Sequence, residues 1–136
     1  MTEQTLTGSC LCGAVHYTAV GEIERFYHCH CQRCRKATGS AHASNLFMTG
    51  TLTWDRGEEL IKVFKLPEAE RFGNRFCETC GSRLPSAVPA NNFIMIPAGS
   101  LNDEPGFKPM ARIFQSSKAE WSCSDSEMPV FDEYPV

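Results

Sequence analysis

Three cysteines, Cys29, Cys31 and Cys34, fall within six positions of the stretch YHCHCQRCRKATGSAH, which spans residues 27–42. Cysteine thiolates bind zinc, and catalytic zinc sites typically keep three protein ligands and one exchangeable position. Cys29 and Cys31 would share one face of a strand, and Cys34 could fold back in the following turn. The spacing predicts a metal site with three sulfur ligands and leaves its fourth ligand undetermined.

Two further cysteine pairs lie far apart in the chain, a C-x-C at Cys10 and Cys12 and a C-x-x-C at Cys77 and Cys80. If the C-x-C lies in a strand, both sulfurs point to one face and Leu11 turns inward. Gly81 follows the second pair and tolerates the left-handed backbone that metal knuckles often need. Together the pairs offer the four thiolates of a closed structural zinc site, with Zn–S distances near ~2.3 Å.

Disulfides and thiol redox chemistry are the alternatives for the eight cysteines of the chain. Seven of the eight sit in tight groups, whereas disulfide frameworks tend to spread cysteines along the chain. A thioredoxin-like motif would need a helix after Gly81, and Pro85 follows too soon for one. Metal binding is therefore the favoured interpretation, and Cys123, outside the groups, is expected to be a free thiol.

Basic and imidazole side chains surround the three-cysteine group. Arg33, Arg35 and Lys36 would balance the charge of −1 on a Zn²⁺ ion with three thiolates, although a solvated turn is an equal alternative. The histidines nearby could supply a fourth ligand or move a proton, but ordinary strand or loop roles are favoured for His28, His30 and His42. Either arginine before the C-x-x-C could approach a site, and surface roles are favoured for Arg71 and Arg75.

The rest of the 136-residue chain reads as one mainly β domain, spanning residues 1–136, with residues 1–7 and 124–136 peripheral. Alternating segments predict strands in GAVHYTAVG and IERFYHC, paired across a turn at Gly21, and two strands in NLFMTGTLTW around a turn at Gly50. Further strands are expected in LIKVFKL, ERFGNRF, NNFIMIPAGSL and MARIFQ, and a short helix around Arg33–Thr38. Four aromatic residues are expected in the core: Trp54, Phe64, Phe93 and Trp121.

Composition excludes several classes of function. A net charge of −3 argues against a general nucleic-acid binder, and no apolar run approaches the ~20 residues of a membrane span. The amino terminus, MTEQTLTGS, lacks the apolar stretch of a secretory signal, so a cytoplasmic location is expected. Neither a nucleic acid nor a membrane is an expected partner, and the sequence leaves the oligomeric state open.

Four segments in this order, GSCLCGAVHY, HCHCQRCRKATGS, FCETCGSRL and IPAGSL, resemble the glutathione-dependent formaldehyde-activating enzyme (GFA) family. The resemblance runs from about Gly8 to Trp121. It implies a fold of small, twisted, tent-like antiparallel sheets held together by zinc. It also implies two zinc ions, a structural one on Cys10, Cys12, Cys77 and Cys80 and a catalytic one on Cys29, Cys31 and Cys34.

The resemblance further implies a carbon–sulfur lyase that forms or cleaves S-hydroxymethylglutathione, with glutathione and formaldehyde as small-molecule partners. The fourth position of the second zinc would then accept substrate or solvent. Arg33, Arg35 and Lys36 are candidates for binding the carboxylates of glutathione. The alternative is a non-catalytic zinc module that binds a protein or serves as a scaffold, and a thiol redox sensor is a third possibility.

Overall fold

The computed structural model describes residues 2–135 and is mainly β, as the alternating segments predict. Its elements are β1 Gln4–Ser9, β2 His16–Cys29, α1 Gln32–Thr38, β3 Ala43–Arg56, β4 Ile61–Lys65, β5 Gly73–Cys77, β6 Arg83–Leu84, β7 Ser86–Val88, β8 Phe93–Pro97 and β9 Ala111–Ile113. Single 3₁₀ turns occupy Glu58–Leu60, Pro89–Asn91, Ala98–Ser100, Gln115–Ser117 and Asp125–Glu127.

Two sheets make up the fold, and a long two-stranded ribbon runs through the larger one. In the larger sheet β2 and β3 pair antiparallel, β1 flanks the first half of β2, and β8 and β7 follow β3. The short strand β9 pairs in parallel with the end of β2, from Tyr27 to Cys29. The smaller sheet has the order β4-β5-β6.

The ribbon is continuous where the sequence predicts turns, so both turn predictions are wrong. Gly21 lies inside the 14-residue β2 and is paired with Gly50, which lies inside the 14-residue β3. A Cβ at Gly21 would fall on the carbonyl oxygen of Thr49, and one at Gly50 on that of Val20. These glycines permit the close approach of two backbones, a role that alternation alone does not distinguish from a turn.

A bulge in β2 changes which side chains face the core. Tyr17, Ala19 and Ile23 are buried in alternation, but the register shifts between Ile23 and Arg25, after which Phe26 is buried instead. An extra residue in one strand of an antiparallel pair moves the following side chains to the other face. The bulge thus keeps Phe26 in the main core before the strand ends at Cys29 in the third buried cluster.

The buried residues form three clusters. The main core joins the ribbon to β1 and β8 and contains Leu6, Tyr17, Ala19, Ile23, Phe26, Leu46, Met48, Ile94 and Ile96. The second cluster contains Cys10, Val15, Cys77 and Leu84, and the third contains Cys29, Cys34 and Ala43. Trp54 packs against both the main core and the second cluster, in an edge-to-face contact with Tyr17 at 6.0 Å between ring centroids.

Two of the four aromatic residues expected in the core lie on the surface instead. Phe64 is 51% exposed and Trp121 is 65% exposed, whereas Trp54 and Phe93 are partly buried. Phe64 belongs to β4, the edge strand of the small sheet, whose residues after Ile61 are all exposed. Alternation predicted this strand correctly but not that both of its faces would lie outside the core.

The two ends of the chain differ in burial. β1 includes residues 4–7 of the segment expected to be peripheral, and Leu6 in that strand is buried in the main core. Residues 125–135 at the other end are exposed, with one 3₁₀ turn capped by Ser124 and Glu127. Within residues 2–135 no helix has both the length and the apolar character that crossing a bilayer requires.

We expect Gly50→Ala to lower the free energy of unfolding by about 3 kcal/mol, because the added methyl group meets the Val20 backbone rather than a movable side chain. Gly99→Ala is the matched control, since a Cβ there meets no heavy atom of the described residues within 4 Å. Its effect should stay within about 0.5 kcal/mol. Urea unfolding measures both, and equal losses in the two variants would contradict the close-approach explanation.

Candidate metal centre and adjoining cavity

Four sulfur atoms converge where the amino-terminal turn meets the small sheet. The Sγ atoms of Cys10, Cys12, Cys77 and Cys80 all lie within 4.8 Å of one another. Cys10 and Cys12 are separated by 3.6 Å and Cys12 and Cys77 by 4.0 Å, sulfur to sulfur. A tetrahedral zinc with ~2.3 Å bonds holds its sulfurs about 3.8 Å apart. The arrangement therefore fits a tetrahedral thiolate site.

The C-x-C pair lies in a tight turn after β1, and the prediction that it lies in a strand is wrong. The backbone N–H of Gly13 donates to the Cys10 carbonyl (3.1 Å), and that of Val15 donates to Cys10 Sγ (3.3 Å). Leu11, expected to turn inward, is 88% exposed. Its backbone N–H donates to Ser82 Oγ at 2.9 Å, which fastens the turn to the loop that carries the C-x-x-C.

The C-x-x-C knuckle forms as the sequence predicts. Gly81 has φ of 77°, in the left-handed region, and its N–H donates to the Cys77 carbonyl at 2.7 Å. The N–H of Cys77 in turn donates to the Ser82 carbonyl at 3.0 Å. The loop thereby brings Cys77, at the end of β5, and Cys80 to the same point and leads directly into β6.

The four thiols of this quartet do not ionise together without a compensating cation. Hydrogen bonds from Ser82 lower the pKa of Cys80 to about 5. A backbone hydrogen bond at Ala14 works to lower the pKa of Cys12, but Cys10, partial burial and the other sulfurs outweigh it and raise that pKa to about 11. Neighbouring thiolates repel one another, and a divalent soft cation removes that repulsion. The donor set thus fits zinc in chemistry as well as in spacing.

The second sulfur group lies where β2 ends and α1 begins. Cys29 is the last residue of β2, Cys31 is the N-cap of α1, and Cys34 lies in its first turn. Their Sγ atoms lie within 4.8 Å of one another, and the N–H of Cys34 donates to Cys31 Sγ at 3.4 Å. Within residues 2–135 no fourth cysteine, histidine or carboxylate joins this trio.

The helix that presents Cys34 is short and is terminated by the segment Thr38-Gly39-Ser40. Thr38 Oγ1 donates to the Cys34 carbonyl at 2.8 Å, and Ser40 N–H donates to Thr38 Oγ1 at 3.2 Å. Gly39 is the left-handed C-cap, with φ of 66°. This turn ends the helix and thereby fixes the position of Cys34.

The three thiols of the trio differ in pKa, and burial is the largest cause. It raises the pKa of Cys34 far above the usual range and also raises that of Cys29. Burial acts in the same direction on Cys31, but backbone N–H donors and the two neighbouring cysteines outweigh it, so the pKa of Cys31 is lowered. As in the quartet, full ionisation needs a bound cation, and three thiolates suit zinc.

The three histidines near the trio pack against one another rather than joining the sulfurs. The rings of His28 and His42 stack at 3.8 Å between centroids, and His30 is 1% exposed at 5.2 Å from His42. Burial lowers the pKa of all three below the ordinary value, which favours neutral rings at neutral pH. His16 lies elsewhere on the ribbon, hydrogen-bonded through Nδ1 to Asp55 at 2.7 Å.

A cavity of about 1250 Å³ opens beside the trio, between the small sheet and the β3-β8-β7 part of the large one. All three cysteines of the trio line it, and its apolar wall includes Phe47, Phe72, Phe93 and Met95. Six lining side chains are basic, namely Arg25, Arg33, Lys65, Arg71, Arg75 and Arg83, and one, Glu70, is acidic. The cavity is therefore electropositive, although the chain as a whole carries −3.

The three basic residues that follow the trio have different surroundings in the structure. Arg33 lines the cavity, whereas Arg35 donates through Nη1 to the Ser117 carbonyl at 3.1 Å. Lys36 is exposed and is not part of the lining. Arg71 and Arg75, for which surface roles were favoured, both line the cavity. Arg33 is thus the member of the predicted cluster placed to meet a ligand in this cavity.

Arg83, the first residue of β6, is a site residue that sequence reasoning missed. Its Nε donates to Asn74 Oδ1 at 2.6 Å, and its guanidinium carbon lies 6.0 Å from the Phe72 ring centroid. Burial lowers its pKa, while the charges of Cys34, Cys29 and Cys31 act in the opposite direction. The available signal was its position three residues after the C-x-x-C, where a hairpin returns toward the trio.

Comparisons with known proteins found a matching family model and similar chains. A family model described as glutathione-dependent formaldehyde-activating enzyme matches residues 5–117. A Schizosaccharomyces pombe protein described as an uncharacterized lyase is 33% identical over 81 residues, which are 57% of this chain and 53% of that protein, so the chain spans about half of this relative's length. A crystal structure of a Rhodobacter sphaeroides protein is 24% identical, with a TM-score of 0.48, over 76% of this chain and 97% of that one.

We expect two zinc ions per chain in the purified protein, and Cys31→Ala should lower this to one while the fold survives. Cys77→Ala should lower the free energy of unfolding by more than about 4 kcal/mol, because a structural zinc contributes directly to folding. Metal analysis by mass spectrometry and thermal melting measure both effects. Cys123→Ala, which removes a cysteine outside both groups, should change neither. Two zinc ions retained in Cys31→Ala would contradict the assignment of the trio.

Proposed function

The chain belongs to the glutathione-dependent formaldehyde-activating enzyme family, and we propose that it is a zinc-dependent carbon–sulfur lyase. Its reaction would join a thiol to a carbonyl compound, or cleave the adduct, with S-hydroxymethylglutathione from glutathione and formaldehyde as the leading case. The observation that carries the proposal is the sulfur trio, which lines a large electropositive cavity and has no fourth protein donor within the described residues.

The two sulfur groups would have different tasks. Cys10, Cys12, Cys77 and Cys80 would hold a structural zinc, because four thiolates saturate a tetrahedral ion. Cys29, Cys31 and Cys34 would hold a second zinc, which when bound would lower the pKa of a substrate thiol and so favour its thiolate. Cysteine ligands stay reduced in the cytoplasm, and the proposal includes that location.

The cavity walls would bind and orient the thiol substrate. Its basic side chains favour an anionic molecule, and glutathione carries two carboxylates and one ammonium group at neutral pH. Arg33, which lines the cavity next to the trio, would pair with one carboxylate. The aromatic wall would pack against the aliphatic parts of the substrate and reduce the access of water to the reacting sulfur.

The chemical step itself needs only modest catalysis by the protein. A sulfur lone pair forms the new carbon–sulfur bond, the carbonyl π pair moves onto oxygen, and that oxygen takes up a proton equivalent to the one the thiol has lost. Thiols and formaldehyde also combine without a catalyst, so positioning of the two reactants and charge stabilisation are the contributions to expect.

Exchange NMR of glutathione with formaldehyde tests this function directly. Wild-type protein should accelerate exchange between free thiol and adduct, and Cys31→Ala should reduce that acceleration about 10-fold to 100-fold or more, since even residues outside the first coordination shell typically cost that much. Cys123→Ala should behave as wild type. No acceleration by wild-type protein, or equal acceleration by Cys31→Ala, would leave the zinc-binding interaction module as the better reading.

Arg33→Gln should raise the KM for glutathione about fivefold with little change in kcat, because a partly exposed charge pair contributes up to about 1 kcal/mol. Lys36→Gln removes the same charge from an exposed position outside the cavity lining and should leave KM unchanged. Steady-state kinetics at constant ionic strength separates the two variants. Equal effects of the two substitutions would show that only the general electrostatic field matters.

A further inference from the structure

The guanidinium of Arg83 is held firmly at one end and has no partner at the other. Nε is satisfied by Asn74, but Nη1 is completely buried and has no acceptor within residues 2–135. A buried polar group without a partner costs about 1–3 kcal/mol, and a charged group costs more. Such an arrangement is costly for folding alone and indicates a ligand that completes it.

The wall around Arg83 shows a second unpartnered polar atom. Asn45 is 8% exposed, and its Oδ1 has no donor within the part of the chain that the structure describes. Arg83 and Asn45 both line the large cavity, and both also line a smaller one of about 340 Å³ on the other side. They therefore lie between the two cavities, Asn45 on β3 of the large sheet and Arg83 on β6 of the small one.

The position of Arg83 relative to the trio defines which part of a ligand it would meet. Arg83 lines the same cavity as all three cysteines of the trio, and its guanidinium lies against the Phe72 ring, which packs on the cluster that contains Cys29 and Cys34. A thiol bound at the trio carries its new carbon one bond from sulfur and the carbonyl oxygen two bonds away. The group nearest to Arg83 would therefore be that oxygen, while the carboxylates of a tripeptide would extend toward Arg33 and the outer wall.

We propose that Arg83 forms a subsite for an anionic oxygen carried beside the sulfur of the bound thiol, and that it donates hydrogen bonds to this oxygen as negative charge develops there. The proposal rests on the lyase function proposed above. In the forward direction the carbonyl π pair becomes a lone pair on oxygen, Arg83 stabilises the charge, and the oxygen then takes up a proton. In reverse the hydroxyl loses its proton, Arg83 holds the oxygen, and the carbon–sulfur bond breaks as the pair returns to sulfur.

Binding of 2-mercaptoacetate, compared with 2-mercaptoethanol, tests the subsite without any turnover. Both are small thiols, but only the first carries an anionic oxygen close to sulfur. Calorimetry on the zinc-loaded protein should show a preference for 2-mercaptoacetate, and Arg83→Gln should reduce that preference about 10-fold to 100-fold. Lys36→Gln, which removes the same charge from an exposed position outside the cavity lining, should retain the preference.

Kinetics and metal analysis separate the subsite from a merely structural role. Arg83→Gln should lower kcat about 100-fold or more with KM for the thiol within twofold, Arg83→Lys should recover part of the loss, and both should keep two zinc ions. Loss of the second zinc in Arg83→Gln, an unchanged thiol preference, or an equal loss in Lys36→Gln would overturn the proposal. If wild-type protein shows no acceleration, the lyase function fails, and the 2-mercaptoacetate comparison still decides whether Arg83 binds an anionic oxygen.

Discussion

The convergence of four sulfur atoms from two distant segments is the constraint on which the rest of the molecule depends. Cys12 and Cys77 are 65 residues apart in sequence and 4.0 Å apart in space. One pair belongs to the turn after β1 in the large sheet, and the other belongs to the hairpin between β5 and β6 in the small sheet. The small sheet has three strands, one of them only two residues long, and an isolated sheet of this size would be marginal. Fastening it to the ribbon fixes one wall of the cavity.

The same attachment sets the geometry of the second sulfur group. β6 begins three residues after Cys80, so the position of Arg83 follows from that of the knuckle. Cys29 and α1 come from the opposite end of the ribbon, and Phe72 from the small sheet's side packs against them. The trio and the guanidinium therefore belong to different sheets, and the quartet is one of the contacts that join those sheets. The residues of this site therefore come from separate segments of the sequence and are brought together by the fold.

The sequence predicted the parts of this arrangement that depend on local spacing. Two cysteine groups, the knuckle at Gly81, the short helix at Arg33–Thr38 and most strands follow from residue types a few positions apart. The errors come from features that depend on a partner segment. Gly21 and Gly50 indicate turns when each is read alone, and only their pairing shows that they allow two strands to approach. Phe64 alternates like a core residue, but its strand lies at an edge. Arg83 was missed because its position three residues after the C-x-x-C is only a weak signal, and its burial and missing acceptor exist only once the two sheets have met.

Because α1 is short, its stability depends on what is bound at the trio. A helix of seven residues is far below the length at which a peptide holds this conformation unaided. Its N-cap is Cys31 and its buried residue is Cys34, so two sulfurs of the trio are also the helix's anchors. Order in this segment, which carries Arg33 at the cavity wall, is therefore thermodynamically linked to whatever occupies the trio. Amide hydrogens of residues 32–38 would therefore report occupancy of the trio as slowed exchange.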